Sequence, residues 1–154
     1  GLALTDLFLT ANTAYDEGDL ELAFDLFSQA ANKGDDSAMS RLAIMYSEAE
    51  GVLRDIGQSI HWDLKAIEAG SVVSMSNLAI TYRTVGDIEE SKKWFEKAIE
   101  AGDGDAALEL AKTYLIYEDN KLQAQFYLQK VIVSNDVCED SVEEANQLLR
   151  ELGI

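Results

Sequence analysis

The sequence predicts an all-α fold, an α/α solenoid of about four helix-turn-helix repeats followed by a C-terminal capping helix. Its 154 residues contain no proline and are 47% apolar, as expected for consecutive helices joined by short turns. A Leu-Ala-x-x-Tyr pattern recurs at Leu42, Leu78 and Leu110. Three glycines, Gly34, Gly70 and Gly102, follow at intervals of 36 and 32 residues, a spacing typical of helical repeats.

The stretch from Leu78 to Gly102 has the clearest pattern of a helix, a tight turn and a second helix. Neither helix could bury its apolar face alone, so each is expected to pack on the other. The first helix places Leu78, Ala79 and Tyr82 on one face, and the second places Ser91, Trp94, Phe95 and Ala98 on one face.

The same pattern can be followed along the whole chain, which we interpret as one domain over residues 1–154. We place the repeats at about 3–34, 35–70, 71–102 and 103–135. The first repeat is the weakest. The residues that carry the pattern are Leu7, Ala11, Tyr15, Ala23, Phe27 and Ala30 in the first repeat, Leu42, Ala43, Tyr46, Trp62, Lys65 and Ala66 in the second, and Leu110, Ala111, Tyr114, Leu128, Lys130 and Val131 in the fourth.

Local signals predict where helices begin. Asp55 with Gln58, and Asp87 with Glu90, form capping-box patterns. Beyond Asn135 the repeat pattern ends, and a last amphipathic helix opening at Ser141 is predicted to cap the array within residues 139–153. Its apolar residues are Ala145, Leu148, Leu149 and Leu152.

Two positions depart from the repeat pattern. Asp63 stands where Phe27, Phe95 and Leu128 supply an apolar side chain. The sequence Glu118-Asp119-Asn120 replaces the Gly-Asp turn.

The second repeat resembles the Sel-like (Sel-one-like) repeat, and the third resembles the tetratricopeptide repeat because its turn is shorter. The resemblance covers about residues 5 to 135. It implies a right-handed superhelix and an adaptor that binds proteins or peptides, usually in a concave groove lined by the first helix of each pair. The residues that carry the Sel-like pattern are Tyr46, Gly51, Val52, Asp55, Trp62, Lys65, Ala66 and Gly70.

Charge narrows the class of partner. The chain has 29 acidic and 12 basic residues, a formal charge of −17. This balance disfavours nucleic acids and anionic membrane surfaces, since both are bound largely through Lys and Arg. A basic or amphipathic protein partner is compatible with it, and so is a purely solubilising role for the charge. We expect no membrane insertion and a monomer when free.

Few residues suggest catalysis or metal binding. His61 is the only histidine and Cys138 the only cysteine, so neither has a partner of its own kind. Asp103-Gly104-Asp105 resembles the start of a calcium loop, but Leu108 and Tyr114 stand where such a loop needs glycine and glutamate. We therefore predict no catalytic, cofactor-binding or metal-binding residue, no cofactor and no enzymatic activity.

The predicted partner-binding residues lie on the groove face of the first helices. In an acidic chain, basic residues among Asn and Ile side chains suit an extended peptide or a carboxylate. The alternative is that these cations only offset neighbouring acids. The predicted residues are Asn12, Tyr15, Arg41, Ile44, Asn77, Ile80, Arg83 and Lys112.

The leading prediction is therefore a non-enzymatic protein-interaction module, an adaptor or scaffold. The alternative is an acidic immunity-type or inhibitor protein that neutralises a basic partner such as a toxin, and an enzyme or small-ligand protein is the alternative of a different class. The single cysteine favours a cytoplasmic location. Because the sequence begins at Gly1, the alternative is a periplasmic or secreted protein after removal of a signal.

Overall fold

The computed structural model describes residues 3–153, which form nine α-helices and no strand. Eight of the helices make four consecutive pairs and the ninth follows them, which confirms the predicted all-α repeat fold. The helices are α1 (Leu4–Asp16), α2 (Leu20–Asn32), α3 (Asp36–Glu48), α4 (Ile56–Glu68), α5 (Val73–Thr84), α6 (Ile88–Glu100), α7 (Asp105–Tyr117), α8 (Lys121–Val133) and α9 (Glu139–Glu151).

The chain divides into two compact units. The first ends at Thr81 and the second begins at Tyr82, so the boundary falls inside α5. The first unit has an apolar core contributed by α1, α2 and α3, in which Leu7, Phe27 and Leu42 are buried. The single domain predicted over residues 1–154 stays a prediction.

The second unit has its own apolar core, built from α7, α8 and α9. Ala111, Leu128 and Val131 are buried there beside Ala145 and Leu149 of α9. The ninth helix thus covers the apolar side of the last pair with one face. Its other face is charged.

The second helix of each pair repeats one burial pattern. α2, α4, α6 and α8 are each 13 residues long, and in each the fourth, eighth and eleventh residues are buried. This spacing of four and three residues keeps the three side chains on one face. Asp63 is therefore equivalent to Phe27 despite its charge. The buried residues are Ala23, Phe27 and Ala30 in α2, Ser59, Asp63 and Ala66 in α4, Ser91, Phe95 and Ala98 in α6, and Ala124, Leu128 and Val131 in α8.

The predicted helix starts at Asp55 and Asp87 are confirmed. Their carboxylates accept hydrogen bonds from the backbone N–H groups of Gln58 at 3.0 Å and Glu90 at 3.2 Å. Such bonds satisfy N–H groups that the first turn of a helix leaves free.

α8 and α9 do not begin with an aspartate cap of the kind seen at Asp55 and Asp87. Asn120 caps α8, and Asp119 before it takes the left-handed conformation, with φ of +47°, where the first and third repeats have Gly18 and Gly86. α9 begins at Glu139, two residues before the predicted Ser141. Glu139 and Asp140 in its first turn favour this earlier start, because negative charge is stabilised at a helix N-terminus.

Candidate partner-binding site

Two predicted site residues of the first unit meet directly. The guanidinium carbon of Arg41, on α3, lies 4.6 Å from the ring centroid of Tyr15, on α1. It also lies 5.9 Å from the ring centroid of Phe27. A cation over an aromatic face is attracted by the ring quadrupole. The two rings therefore hold a half-buried guanidinium that extends from the middle of α3 to the last turn of α1.

The hydroxyl of Tyr15 is fixed by an acid that the sequence analysis did not single out. It donates a hydrogen bond of 2.7 Å to a carboxylate oxygen of Glu50, in the turn after α3. This bond, together with burial, raises the pKa of Tyr15, because both favour the protonated phenol. Within residues 3–153, no carboxylate lies within 4.0 Å of the Arg41 guanidinium nitrogens. Its charge is thus placed by aromatic rings and not by an ion pair.

The other predicted residues of the first unit differ in exposure. Ile44 lies one turn after Arg41 and is half-buried, as are Asn12 and Asn77. Ile80 is more exposed. Arg41 and Asn77 hold the same place in their helices, one residue before the buried Leu42 and Leu78.

In the second unit, Arg83 is held by an acid. Its guanidinium donates to a carboxylate oxygen of Glu109 at 2.9 Å and to the Thr113 hydroxyl at 3.0 Å. It also donates to the backbone carbonyl of Glu109 at 3.3 Å, and it lies 5.4 Å from the Phe95 ring centroid. Most of its donors are thus engaged inside the chain.

Lys112 is likewise paired with acids of its own unit. Its ammonium lies 2.8 Å from a carboxylate oxygen of Glu144 on α9 and 3.6 Å from one of Glu109 on α7. The ion pair between Lys112 and Glu144 thus connects α9 to α7, in addition to the apolar contacts between these helices.

Sequence reasoning missed Glu50 and Glu109. Glu109 was open to detection, because it stands one residue before Leu110, as Arg41 and Asn77 do before Leu42 and Leu78. Glu50 lies in a turn outside the helical periodicity, and no spacing rule points to it.

A buried polar cluster also lies in the first unit. The hydroxyl oxygen of Ser40 is 2.6 Å from that of Ser74 and 3.2 Å from that of Ser71. The Ser71 hydroxyl also accepts a bond from the Ser74 N–H at 3.3 Å. The buried serine hydroxyls of α3 and α5 thus serve as hydrogen-bond partners for one another.

Asp63 is the charged member of this buried region. Its side chain is 1% exposed, and its Oδ1 atom has no hydrogen-bond partner. Burial raises the pKa of Asp63 to about 7, and a hydrogen bond with Ser74 opposes this shift. The carboxyl is thus poised to titrate near neutral pH inside the core.

The remaining candidates for chemistry are dispersed. His61 is exposed beside Trp62, with 5.3 Å between ring centroids. Cys138 is exposed at the N-terminus of α9, and its sulfur lies 3.6 Å from a carboxylate oxygen of Asp105. Among residues 3–153, no cluster of three His, Cys, Asp or Glu side chains is arranged to hold a metal ion. None of the helices in that range is both long enough and apolar enough to span a bilayer.

Sequence comparison identifies two kinds of repeat. The Sel1 repeat profile matches residues 14–35 and 36–71, and a tetratricopeptide repeat profile matches residues 72–102. These matches confirm the resemblance given by the sequence. Comparison with curated proteins gives no significant match.

Solved structures with the same fold are similar over nearly the whole chain. A protective antigen of uropathogenic Escherichia coli, c5321, which displays an SLR fold, is 18% identical with a TM-score of 0.76 and matches 97% of this chain and 34% of its own. A Sel1 repeat protein from Oxalobacter formigenes is 26% identical, with a TM-score of 0.73, over 96% of this chain and 62% of its own. MamA is 17% identical with a TM-score of 0.69, over 94% of this chain and 81% of its own. The chain thus spans about a third of the length of the first protein and under two thirds of the second.

Proposed function

We propose that this chain, which carries two Sel1 repeats and a tetratricopeptide repeat, is a non-enzymatic adaptor that binds a protein or peptide through its first helices. Repeats of both kinds generally mediate protein–protein interaction and are typically non-catalytic scaffolds.

The placement of Arg41 is the observation that carries this proposal. Its guanidinium is positioned by Tyr15 and has no carboxylate partner among residues 3–153. A forked donor held in place loses little conformational freedom when it binds a carboxylate or a peptide carbonyl. Ile44, one turn away, supplies apolar surface for a neighbouring side chain of the ligand.

We assign the other predicted residues to the same role within each unit. In the first unit, Asn12 and Asn77 supply polar contacts to the ligand, and Ile80 supplies an apolar one. In the second unit, Arg83 and Lys112 contribute less, because Glu109 and Glu144 already balance their charges. The ligand is therefore expected to depend on Arg41 more than on either of these.

The test compares two arginines of the first unit. Proteins captured from the native host by the unaltered chain are identified by mass spectrometry, and their affinities for the purified variants are measured by titration calorimetry. Arg41→Ala should weaken binding by about 1–3 kcal/mol, whereas Arg54→Ala, which removes an exposed arginine from the turn before α4, should not. Equal losses from both variants would exclude a specific role for Arg41.

A second candidate is the acidic inhibitor of a basic protein, supported by the distribution of charge. Residues 1–36 and residues 103–154 each carry a formal charge of −7. Broad acidic surfaces attract basic proteins and speed their association.

Ionic strength separates the two candidates. Binding at Arg41 should change little with added salt and should be lost in Arg41→Ala. Binding through the acidic surfaces should slow strongly as salt rises, and Arg41→Ala should leave it unchanged or slightly improved.

A further inference from the structure

α8 is apolar on two faces. Its buried face carries Ala124, Leu128 and Val131. Its outward face carries Leu122, Phe126 and Val133, whose exposures are 77%, 52% and 78%. Residues spaced by four and then seven positions lie along one side of a helix, so the three side chains form a stripe.

The equivalent positions of the other second helices are mostly polar or charged. Where α8 has Leu122, α2 has Glu21 and α6 has Glu89, and where it has Phe126 they have Asp25 and Lys93. The final position, Val133 in α8, is Asn32, Glu68 or Glu100 in the other three helices. The apolar stripe is therefore a property of α8 and not of the repeat.

Two shallow hollows lie along this stripe. One of about 350 Å³ is lined by Leu122, Gln123 and Phe126. The other, of about 220 Å³, includes Lys130, Val133 and Ile99 in its lining, with Asp136 among its remaining residues. The rise of an α-helix places Leu122 and Val133 about 16 Å apart. A partner helix of about three turns has the length to seat one apolar side chain in each hollow.

The charge of α8 is opposite to that of the chain. Its 13 residues include Lys121 and Lys130 and no acid. Lys130 extends over the stripe, with its ammonium 4.8 Å from the Phe126 ring centroid. Within residues 3–153 neither lysine has a carboxylate within 4.0 Å. Unpaired cations on the helix that carries an apolar stripe complement an acidic amphipathic segment and repel a basic one.

We infer that the outward face of α8 is a second docking surface, which binds an acidic amphipathic helix of a protein partner. Helix-on-helix contact is the mode in which a partner uses apolar anchors at i, i+4, i+7 and i+11. Leu122, Phe126 and Val133 contact those anchors, and Lys121 and Lys130 pair with acids that flank them. This surface belongs to the second unit and the Arg41 site to the first, and the inference does not rest on the proposed function.

The probes are two helix-stapled peptides of 15 residues that share leucines at i, i+4, i+7 and i+11. They differ only at the flanking positions, which are glutamate in one and lysine in the other. Their binding to the full chain is followed by fluorescence anisotropy. The glutamate peptide should bind about tenfold or more tightly than the lysine peptide.

Substitutions in the stripe test its apolar part. Leu122→Asn combined with Phe126→Asn should weaken the glutamate peptide by about tenfold or more. The matched control, Leu9→Asn with Leu53→Asn, removes two other exposed leucines and should leave the affinity unchanged. Circular dichroism checks that both variants keep their helix content.

Charge reversal tests the lysines. Lys121→Glu with Lys130→Glu should exchange the preference of the two peptides. The control, Lys33→Glu with Lys65→Glu, changes net charge equally at exposed sites of the first unit and should preserve the original preference. Equal binding of both peptides, or an unchanged preference after reversal at α8, would overturn the proposal.

Two other occupants would also overturn it. If a second copy of the chain covers the stripe, sedimentation equilibrium would show a dimer for the unaltered chain and a monomer for the Leu122→Asn, Phe126→Asn variant. Flotation with phosphatidylglycerol vesicles, lost in the same variant, would assign the stripe to a lipid surface.

Discussion

A Cβ atom placed on Gly51 would lie 2.1 Å from the carbonyl oxygen of Leu20. The turn after α3 therefore contacts the backbone at the start of α2 so closely that no side chain fits between them. Gly51 also has φ of +73°, a conformation that side chains disfavour. Two independent constraints thus require glycine at this position.

Gly51→Ala should lower the free energy of unfolding by about 3 kcal/mol or more, because it adds a backbone clash to the cost of a left-handed alanine. Gly70→Ala is the matched control, with φ of +103° and no atom within 4 Å of the added Cβ. It should cost only about 1–2 kcal/mol. Urea denaturation measures the free energy of unfolding of both variants. Equal decreases would mean that the backbone at Leu20 moves away from the added methyl group without loss of stability.

Asp63 should make stability fall as pH rises. Its pKa is about 7 in the folded chain and 3.8 as a reference for the unfolded chain, so between these values the folded state holds the extra proton. The free energy of unfolding then decreases by roughly 1.4 kcal/mol per pH unit across that window from this group.

Asp63→Asn removes the ionisation while keeping the size and polarity of the side chain. The difference in unfolding free energy between this variant and the unaltered chain should shift in favour of the variant as pH rises from 4 to 8. The matched control is Asp16→Asn, at an exposed position of the same unit. A difference independent of pH at Asp63 would mean that the carboxyl titrates normally.

Removal of the capping helix should expose the core of the second unit. Deleting residues 141–154 takes away Ala145 and Leu149 and leaves Leu128 and Val131 uncovered. An uncovered apolar surface of this kind favours aggregation. The truncated chain should melt at lower temperature and associate in sedimentation analysis, whereas Gln147→Ala within the helix should do neither. A monomer with unchanged melting temperature would refute the capping role.

Small residues at the close contacts of first helices should not tolerate enlargement. Ala79 and Ala111 are fully buried, so replacing either with leucine should cost about 1–3 kcal/mol through overpacking. Ala101→Leu, at an exposed position, is the comparison and should be nearly neutral. Chemical denaturation checks these values. Neutral effects at both buried sites would place them away from the helix contacts.

The helix pairs were predictable because burial has a period. Any residue placed four, eight or eleven positions into a second helix faces the core, and this rule locates Phe95 and Leu128 from the sequence alone. It also locates Asp63, but it cannot explain how a carboxyl is accommodated there. The answer involves Ser74 on another helix, and helical periodicity does not specify such pairs.

The candidate site was predictable only in part for a similar reason. Tyr15 and Arg41 were selected separately for the same face, yet their contact depends on the relative placement of α1 and α3. Arg83 and Glu109 are 26 residues apart, and no spacing within one helix predicts their ion pair. The residue types on a surface can be derived from repeat register, whereas the partners of long charged side chains depend on three-dimensional packing.

Within each unit, helices mainly contact their neighbours in the chain: α1 with α2, α2 with α3, and α7 with α8. The loops that must close before these contacts form are short, so the contact order is low. Small two-state helical domains of low contact order fold in microseconds to milliseconds, on the order of a thousand times faster than β-sandwiches of similar stability. Because few distant segments must meet, an unfinished chain leaving the ribosome can bury the core of the first unit while the second is still being synthesised.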